Sequence, residues 1–145
     1  MTQVSQAMTR GVRTMSPRDT LAGAAQAMKE LDVGVIPVCD GERLVGVVTD
    51  RDIVLRGVAQ GLQPDKARLT EVMSRDPACC YEDDLVTEAL DRMRTEQIRR
   101  MPVLDRDRHL VGMLSLGDVA VRADEIDAGR ALDAISKPAA PDRTA

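Results

Sequence analysis

The chain has 145 residues, 43% of them hydrophobic and 30% charged, with a formal net charge of −4. This is a globular composition, and no apolar run is long enough to span a membrane. The acidic balance and the single aromatic residue, Tyr81, argue against nucleic acid as a partner, because phosphate binding needs basic surface and base stacking needs aromatic rings. Three cysteines and the lack of a signal-peptide pattern favour free thiols in the cytoplasm.

One pattern occurs twice along the chain, at a spacing of about 65 residues. Met8 is matched by Met73 at this spacing. One extra residue in the second hairpin then raises the spacing to 66, which matches Gly46 with Gly112. The repeat covers roughly residues 8–58 and 73–123.

The first copy predicts the element order β-α-β-β-α. A short extended piece over residues 12–15 precedes an amphipathic helix over 20–30, whose apolar residues recur at helical spacing. Two strands, 35–39 and 44–49, flank an Asp-Gly pair that favours a tight hairpin turn. A closing helix then begins at Thr49.

The second copy predicts the same order. An extended piece over 78–81 and a helix of matching apolar spacing precede strands over 101–104 and 110–115, with a longer polar turn between the strands. The closing helix begins at Ser115. Because a unit of this size cannot cover both faces of its sheet, we predict an α+β fold in which each unit covers the other.

These elements predict the domain boundaries. We expect a first domain over residues 4–60, a linker over 61–71 and a second domain over 72–124. The linker carries glycine and proline, which interrupt regular structure. Residues 125–145 are expected to form a C-terminal helix and a flexible tail.

Each copy places a hydroxyl residue three positions before an aspartate, where the last strand meets the closing helix. The pairs are Thr49 with Asp52 and Ser115 with Asp118. This spacing is typical of a capping box, in which the hydroxyl and the acid satisfy backbone amides. The aspartate could instead accept hydrogen bonds from a ribose diol, and the hydroxyl could donate to phosphate. The residues themselves leave both interpretations open.

Four segments carry a family resemblance. They are Ile-Pro-Val at 36–38, Met-Pro-Val at 101–103, Leu-Val-Gly-Val-Val-Thr-Asp-Arg-Asp-Ile at 44–53 and Leu-Val-Gly-Met-Leu-Ser-Leu-Gly-Asp-Val at 110–119. Over about residues 4–123 the chain resembles a tandem pair of cystathionine-β-synthase (CBS) domains, the Bateman module, and in particular the short stand-alone bacterial CBS-pair proteins. The resemblance implies two β-α-β-β-α repeats that pack through their sheets by pseudo-twofold symmetry. It also implies a homodimer that binds AMP, ADP, ATP, NAD or S-adenosylmethionine in clefts between the repeats.

The resemblance also implies roles for individual residues. Asp52 and Asp118 match the acid that binds ribose, and Thr49 and Ser115 match the hydroxyl on the phosphate side. The adenine pocket would be lined by residues on the strands and on the extended pieces. The residues expected there are Thr14, Val35, Ile36, Cys80, Met101 and Pro102.

Family members often have a basic residue just before the Met-Pro-Val strand, where it meets phosphate. Arg99 and Arg100 stand there in the second copy, whereas the first copy has Gly34 and Val35. Guanidinium groups suit phosphate because they offer several donors at a fixed charge. The alternative is a solvated pair of surface charges. We therefore expect two unequal clefts, with one strong site at most.

The leading hypothesis is a non-enzymatic sensor in which an adenine nucleotide alters a surface read by an unknown regulated protein. The alternative is a ligand-independent homodimer that docks on a partner enzyme or transporter. We expect no catalytic residue and no required cofactor, because no nucleophile-base pair or glycine-rich phosphate loop is visible. We also expect no metal site, since the cysteines and His109 lack zinc-ligand spacing.

Overall fold

The computed structural model describes residues 2–122, and the predicted C-terminal helix and tail over 125–145 lie outside this part. The described chain forms two compact units. The first unit contains residues 11–77 and 106–110, and the second unit contains residues 2–10, 78–105 and 111–122. Neither unit is continuous in sequence, because residues 2–10 belong to the second unit and residues 106–110 belong to the first.

The described chain contains both helices and strands. The helices are α1 (Val4–Ala7), α2 (Leu21–Leu31), α3 (Asp50–Asp52), α4 (Val86–Glu96) and α5 (Leu116–Arg122). The strands are β1 (Val35–Asp40), β2 (Arg43–Thr49), β3 (Ser74–Arg75), β4 (Cys80–Tyr81), β5 (Arg100–Leu104) and β6 (Leu110–Ser115). They form two three-stranded sheets, β1-β2-β3 and β4-β5-β6, which confirms the predicted α+β class.

Helix α2 follows the predicted amphipathic pattern. Thr20 caps it by accepting a hydrogen bond from the Gly23 amide at 3.1 Å, and Asp32 ends it in the left-handed conformation. The apolar face is buried, as the 3.6-residue period requires. The predicted helix over 20–30 is confirmed within one residue at each end. Helix α4 is its counterpart in the second unit.

The β1-β2 hairpin is antiparallel and turns tightly, as predicted. Asp40 and Arg43 form the last cross-strand pair, and Gly41 adopts a φ of 64° in the two-residue turn. Glycine suits this position because it reaches positive φ without a steric penalty. The extended piece predicted over 12–15 is shorter in the structure, where Met15 makes a single bridge to Val38.

The third strand of the first sheet comes from an unexpected part of the chain. β3 pairs antiparallel with β2, with Gly46 opposite Arg75 and Val47 opposite Ser74. In sequence, β3 belongs to the start of the second repeat. A Cβ at Gly46 would lie 2.7 Å from the Ser74 carbonyl oxygen, so the close approach of β3 requires glycine.

The second unit repeats this arrangement with the segment that begins the first repeat. The Thr9 and Met113 backbones exchange hydrogen bonds of 2.9 and 3.0 Å beside β6. A Cβ at Gly112 would lie 2.5 Å from the Thr9 carbonyl oxygen. Each repeat is therefore completed by the Met-hydroxyl-Arg segment that begins the other repeat.

Each unit has its own apolar core. In the first unit α2 packs against β1 and β2, and in the second unit α1, α4 and α5 pack against β4, β5 and β6. The closing helices differ, because α5 is regular whereas α3 continues as a π-helical turn over Ile53–Gly57. Within residues 2–122, no helix is long and apolar enough to cross a membrane.

Candidate functional site

Thr49 and Asp52 form a reciprocal capping box at the start of α3. The Thr49 hydroxyl accepts a hydrogen bond from the Asp52 amide at 3.0 Å, and the Asp52 carboxylate accepts one from the Thr49 amide at 3.0 Å. The capping interpretation of this motif is confirmed. It does not exclude ligand binding, because a carboxylate has lone pairs beyond the one used by the Thr49 amide.

Asp52 has two further partners within the first unit. The Ser74 hydroxyl lies 3.4 and 3.3 Å from the two carboxylate oxygens, and Arg56 Nη1 lies 3.8 Å from Oδ1. Asp52 is only 8% exposed. A buried carboxylate is stable when it is paired and hydrogen-bonded, and these contacts meet that need.

The second unit places Asp118 between two corresponding hydroxyls. The Ser115 hydroxyl accepts a hydrogen bond from the Asp118 amide at 3.0 Å. The Thr9 hydroxyl donates to Asp118 Oδ2 at 3.0 Å. Asp118 is half-buried and thus more open to solvent than Asp52.

Each unit therefore contains one carboxylate site. The first carboxylate site consists of Thr49, Asp52 and Ser74, and the second carboxylate site consists of Ser115, Asp118 and Thr9. Each has two hydroxyls around one carboxylate. A carboxylate of this kind can accept hydrogen bonds from a diol, and the hydroxyls can donate or accept beside it.

Sequence reasoning missed Thr9 and Ser74. Both were visible as matched positions, in Met-Thr-Arg at 8–10 and Met-Ser-Arg at 73–75. Their role depends on the pairing of each segment with the other repeat, and a two-residue strand has no periodicity that would reveal it. The available signal was a glycine inside each apolar strand, which indicates close backbone approach.

Next to each carboxylate site, the closing helix begins beside the residue that precedes the first strand of the hairpin. The Asp50 amide donates to the Gly34 carbonyl at 3.0 Å, and the Leu116 amide donates to the Arg99 carbonyl at 2.9 Å. We name Gly34 and Asp50 the first helix-start pair, and Arg99 and Leu116 the second helix-start pair. The matching hydrogen bonds show that the two pairs are structurally equivalent.

The two helix-start pairs carry opposite charge. A Cβ at Gly34 would lie 3.0 Å from Asp50 Oδ2, so the Asp50 carboxylate lies over this glycine. In the second pair the exposed Arg99 replaces the glycine and the buried Leu116 replaces the aspartate. Arg100, also exposed, begins β5 next to Arg99.

The residues expected to line an adenine pocket differ in exposure. Thr14 is exposed and Val35, which pairs with Thr49, is half-buried. The remaining members are buried: Ile36, Cys80, Met101 and Pro102. The structure thus assigns Thr14, Val35 and Ile36 to the first unit and the other three to the second unit. Their role in holding adenine stays a prediction.

The buried cysteines are poor nucleophiles in this fold. Burial raises the pKa of the Cys80 thiol to about 12, and the Asp84 carboxylate adds to the rise. Its Sγ lies 3.9 Å from the Pro102 carbonyl oxygen. Burial also raises the pKa of the Cys39 thiol. Both thiols are therefore protonated at neutral pH.

Metal ligation finds no support in the part of the chain that the structure describes. Among residues 2–122, no three His, Cys, Asp or Glu side chains are grouped so that they could hold a metal ion. His109 Nδ1 lies 3.7 Å from a Glu42 carboxylate oxygen, which is an ion pair only when the imidazole is protonated.

Two sheet-and-helix units with matched carboxylate sites define a tandem-repeat α+β module. The CBS domain family model matches residues 4–58 and 69–124. The chain therefore belongs to the CBS domain family, as a protein with a tandem CBS pair.

Curated relatives match nearly the whole chain. YlbB of Bacillus subtilis is 40% identical over 140 residues, which cover 94% of this chain and 93% of YlbB. Hypoxic response protein 1 of Mycobacterium tuberculosis is 38% identical over 142 residues, covering 97% of this chain and 98% of the relative.

Solved structures of CBS pairs share the fold. Hypoxic Response Protein I, solved with two coordinated zinc ions, has a TM-score of 0.77 at 36% identity, covering 85% of this chain and 100% of its own. CBSX2 in complex with AMP has a TM-score of 0.73 at 25% identity, covering 83% and 95%. The CBS pair of MJ0100, in complex with 5′-methylthioadenosine and S-adenosylmethionine, has a TM-score of 0.71 at 26% identity, covering 83% and 98%.

Proposed function

We propose that the protein is a non-enzymatic regulatory sensor of adenosine-containing ligands, and that Asp52 and Asp118 bind the ribose. The observation that carries the proposal is the duplicated carboxylate site, in which two hydroxyls surround one aspartate in each unit. The complexes of CBSX2 with AMP and of MJ0100 with methylthioadenosine and S-adenosylmethionine support adenosine as the common part of the ligand.

In the structure, the Ser74 and Thr9 hydroxyls donate hydrogen bonds to the Asp52 and Asp118 carboxylates. A bound ribose would replace these hydroxyls as the donor. A ribose diol presents two donors, and the carboxylate accepts both in place of the Ser74 or Thr9 hydroxyl. The displaced hydroxyl then turns to a ligand oxygen or to water. Asp118 requires less rearrangement than Asp52, because Asp118 is more exposed. We therefore propose that the second carboxylate site fills first.

Phosphate binding would use the second unit's basic residues. Arg99 and Arg100 are exposed at the start of β5, and the Ser115 hydroxyl lies at the start of α5. Guanidinium groups recognise phosphate through several fixed donors. Thr49 stands at the corresponding position of the first unit, which lacks the two arginines. The adenine ring would lie against residues of the strands and of the extended pieces: Thr14, Val35, Ile36, Cys80, Met101 and Pro102.

Regulation would follow from ligand linkage. A ligand that prefers one arrangement of the chain shifts the population towards that arrangement, and a partner protein can read the change. In this proposal AMP, ADP, ATP, NAD and S-adenosylmethionine are the candidate effectors, and the protein carries out no chemical step. These ligands are metabolites of the cell interior, so the proposal includes a cytoplasmic location.

A second candidate function is a homodimeric interaction module that needs no ligand. The observation that favours it is a run of exposed apolar side chains on the closing segment of the first unit, where Val54, Leu55 and Val58 are 54, 43 and 58% exposed. Val121 in the second unit is 83% exposed. Exposed apolar side chains that lie close together are typical of protein interfaces.

Thermal unfolding with and without ligand tests the proposal. A ligand in excess over its dissociation constant should raise the melting temperature, because it binds only the folded chain. We expect AMP to do so, and expect the shift to shrink in Asp118→Ala. Asp65→Ala, at an exposed position of the first unit, is the matched control and should respond like the unchanged chain.

Two results would contradict the sensor proposal. The first is the absence of any shift with millimolar AMP, ADP, ATP, NAD or S-adenosylmethionine. The second is an equal shift in the unchanged chain, Asp52→Ala and Asp118→Ala, which would reduce both aspartates to helix caps. A ligand-independent dimer in light scattering, combined with no shift, would establish the interaction module instead.

A further inference from the structure

The two helix-start pairs place residues of opposite charge at equivalent backbone positions next to the two carboxylate sites. In the first pair the Asp50 carboxylate lies over Gly34, with Oδ2 3.0 Å from the position of a glycine Cβ. In the second pair Arg99 occupies the position of Gly34, and the apolar Leu116 replaces Asp50. The two carboxylate sites are therefore flanked by residues of different charge.

Other charged groups near the first carboxylate site leave this contrast in place. The Arg56 guanidinium lies 3.8 Å from Asp52 and also donates to the Val72 carbonyl at 3.3 Å, so its charge is matched by Asp52. Arg51 follows Asp50 in the helix and is exposed. Successive helical residues point in directions about 100° apart, so Arg51 does not share the direction of Asp50.

We propose that the first carboxylate site takes an adenosine ligand without a phosphate group, and that Asp50 over Gly34 is the residue that excludes phosphate. This inference rests on the proposed function, since it assumes that the carboxylate sites bind ribose. The ligand class is a nucleoside with a neutral or positively charged 5′ substituent, such as a thioether or a sulfonium. The second carboxylate site takes the phosphorylated nucleotides.

The expected discrimination follows from Coulomb interactions near a protein surface. A single carboxylate within several ångströms of a phosphate lowers its affinity by roughly five- to tenfold, and an arginine at the equivalent place raises it by a similar factor. For one pair of ligands, with and without phosphate, the two sites should therefore have opposite orders of affinity. The difference should shrink at high salt, because ions screen exposed charges.

AMP and 5′-methylthioadenosine form the matched probe pair, because they differ only in the 5′ substituent. Titration calorimetry in the Asp118→Ala chain reports on the first carboxylate site. There we expect methylthioadenosine to bind about tenfold more tightly than AMP. In the Asp52→Ala chain, which keeps the second carboxylate site, we expect the order to reverse.

Substitutions of exposed residues test the same ligand discrimination without removing the buried Asp52 carboxylate. Asp50→Asn should raise the AMP affinity of the first carboxylate site about fivefold and change that for methylthioadenosine by less than twofold. The control Asp65→Asn removes the same charge from another exposed position of the first unit and should leave both affinities within twofold. Arg99→Gln with Arg100→Gln should lower AMP affinity at the second carboxylate site about tenfold.

Failure of this inference is separable from failure of the proposed function. If both probes bind but both sites prefer AMP, or if Asp50→Asn and Asp65→Asn raise AMP affinity equally, the role of Asp50 is wrong while the sensor proposal stands. If neither probe nor ATP nor S-adenosylmethionine binds the unchanged chain, the sensor proposal is wrong and the inference falls with it.

Discussion

The first unit surrounds Asp52 with a helix cap, a serine hydroxyl and an arginine, and leaves it 8% exposed. The second unit holds Asp118 by the Ser115 cap and a threonine hydroxyl, and leaves it half-buried. Beside them, one unit has Asp50 over glycine and the other has arginine beside leucine. The two repeats thus share the backbone arrangement and the aspartate. They differ in the exposure of that aspartate and in the charge of the residues next to it.

Substitution of the two matched strand glycines, Gly46 and Gly112, should lower the free energy of unfolding most. Gly46→Val and Gly112→Val each push a side chain into a backbone carbonyl, at 2.7 and 2.5 Å from the added Cβ, so the flanking segment must move or leave. We expect each to destabilise the fold by at least about 3 kcal/mol in urea unfolding, because a backbone contact relaxes poorly.

Gly117→Ala is the matched control for these two variants. The nearest atom to its added Cβ is the Ser115 hydroxyl oxygen at 3.8 Å, an ordinary contact. Alanine inside a helix is favoured over glycine, so the control should be neutral or more stable by about 0.5–1 kcal/mol. If Gly46→Val were as stable as the unchanged chain while Gly112→Val was not, the two units would not share the same close backbone approach.

The aspartates should give the next largest effect, and an unequal one. Asp52→Ala removes a cap and leaves the Ser74 hydroxyl and Arg56 without their carboxylate partner, so we expect about 2 kcal/mol of destabilisation. For the more exposed Asp118→Ala we expect about 1 kcal/mol. Chemical unfolding of both variants measures the difference. An equal loss would contradict the tighter packing inferred around Asp52.

The smallest expected difference between the units concerns their cysteine thiols, and it is measured as reactivity with a thiol reagent. Each unit buries one cysteine, and burial raises the pKa of both, to about 12 for Cys80. At about pH 8 we expect a thiol reagent to modify the half-exposed Cys79 first and to reach Cys39 and Cys80 only on unfolding. Peptide mass mapping identifies the labelled residue. Fast labelling of Cys80 in the folded chain would contradict its burial.

The raised Cys80 pKa also gives a pH dependence of known sign. The folded chain holds the thiol proton more tightly than the unfolded chain, in which the thiol pKa is near its ordinary value of 9.0. This contribution to stability is complete below the unfolded pKa of 9.0 and is lost as pH rises from there towards about 12. Cys80→Ala should therefore show a shallower loss of stability over that range in urea unfolding, although it removes some packing at every pH.

Sequence periodicity predicted the long elements because their burial follows a regular spacing. Helix α2 and the strand β6 fall within one residue of the expected limits. β3 could not be predicted, since two residues carry no period and their pairing is non-local. For the same reason Thr9 and Ser74 were missed, whereas the hydroxyl-aspartate spacing revealed Asp52 and Asp118. The π-helical turn after α3 left no recognisable sequence signal.

A co-crystal structure with AMP tests the central claim most directly. We predict that the ribose hydroxyls lie within hydrogen-bonding distance of the Asp118 carboxylate, with the phosphate beside the Arg99 and Arg100 guanidinium groups. We also predict that the Thr9 hydroxyl no longer donates to Asp118 Oδ2. AMP bound with its ribose away from both aspartates, or phosphate held beside Asp50, would contradict the proposed roles of these residues.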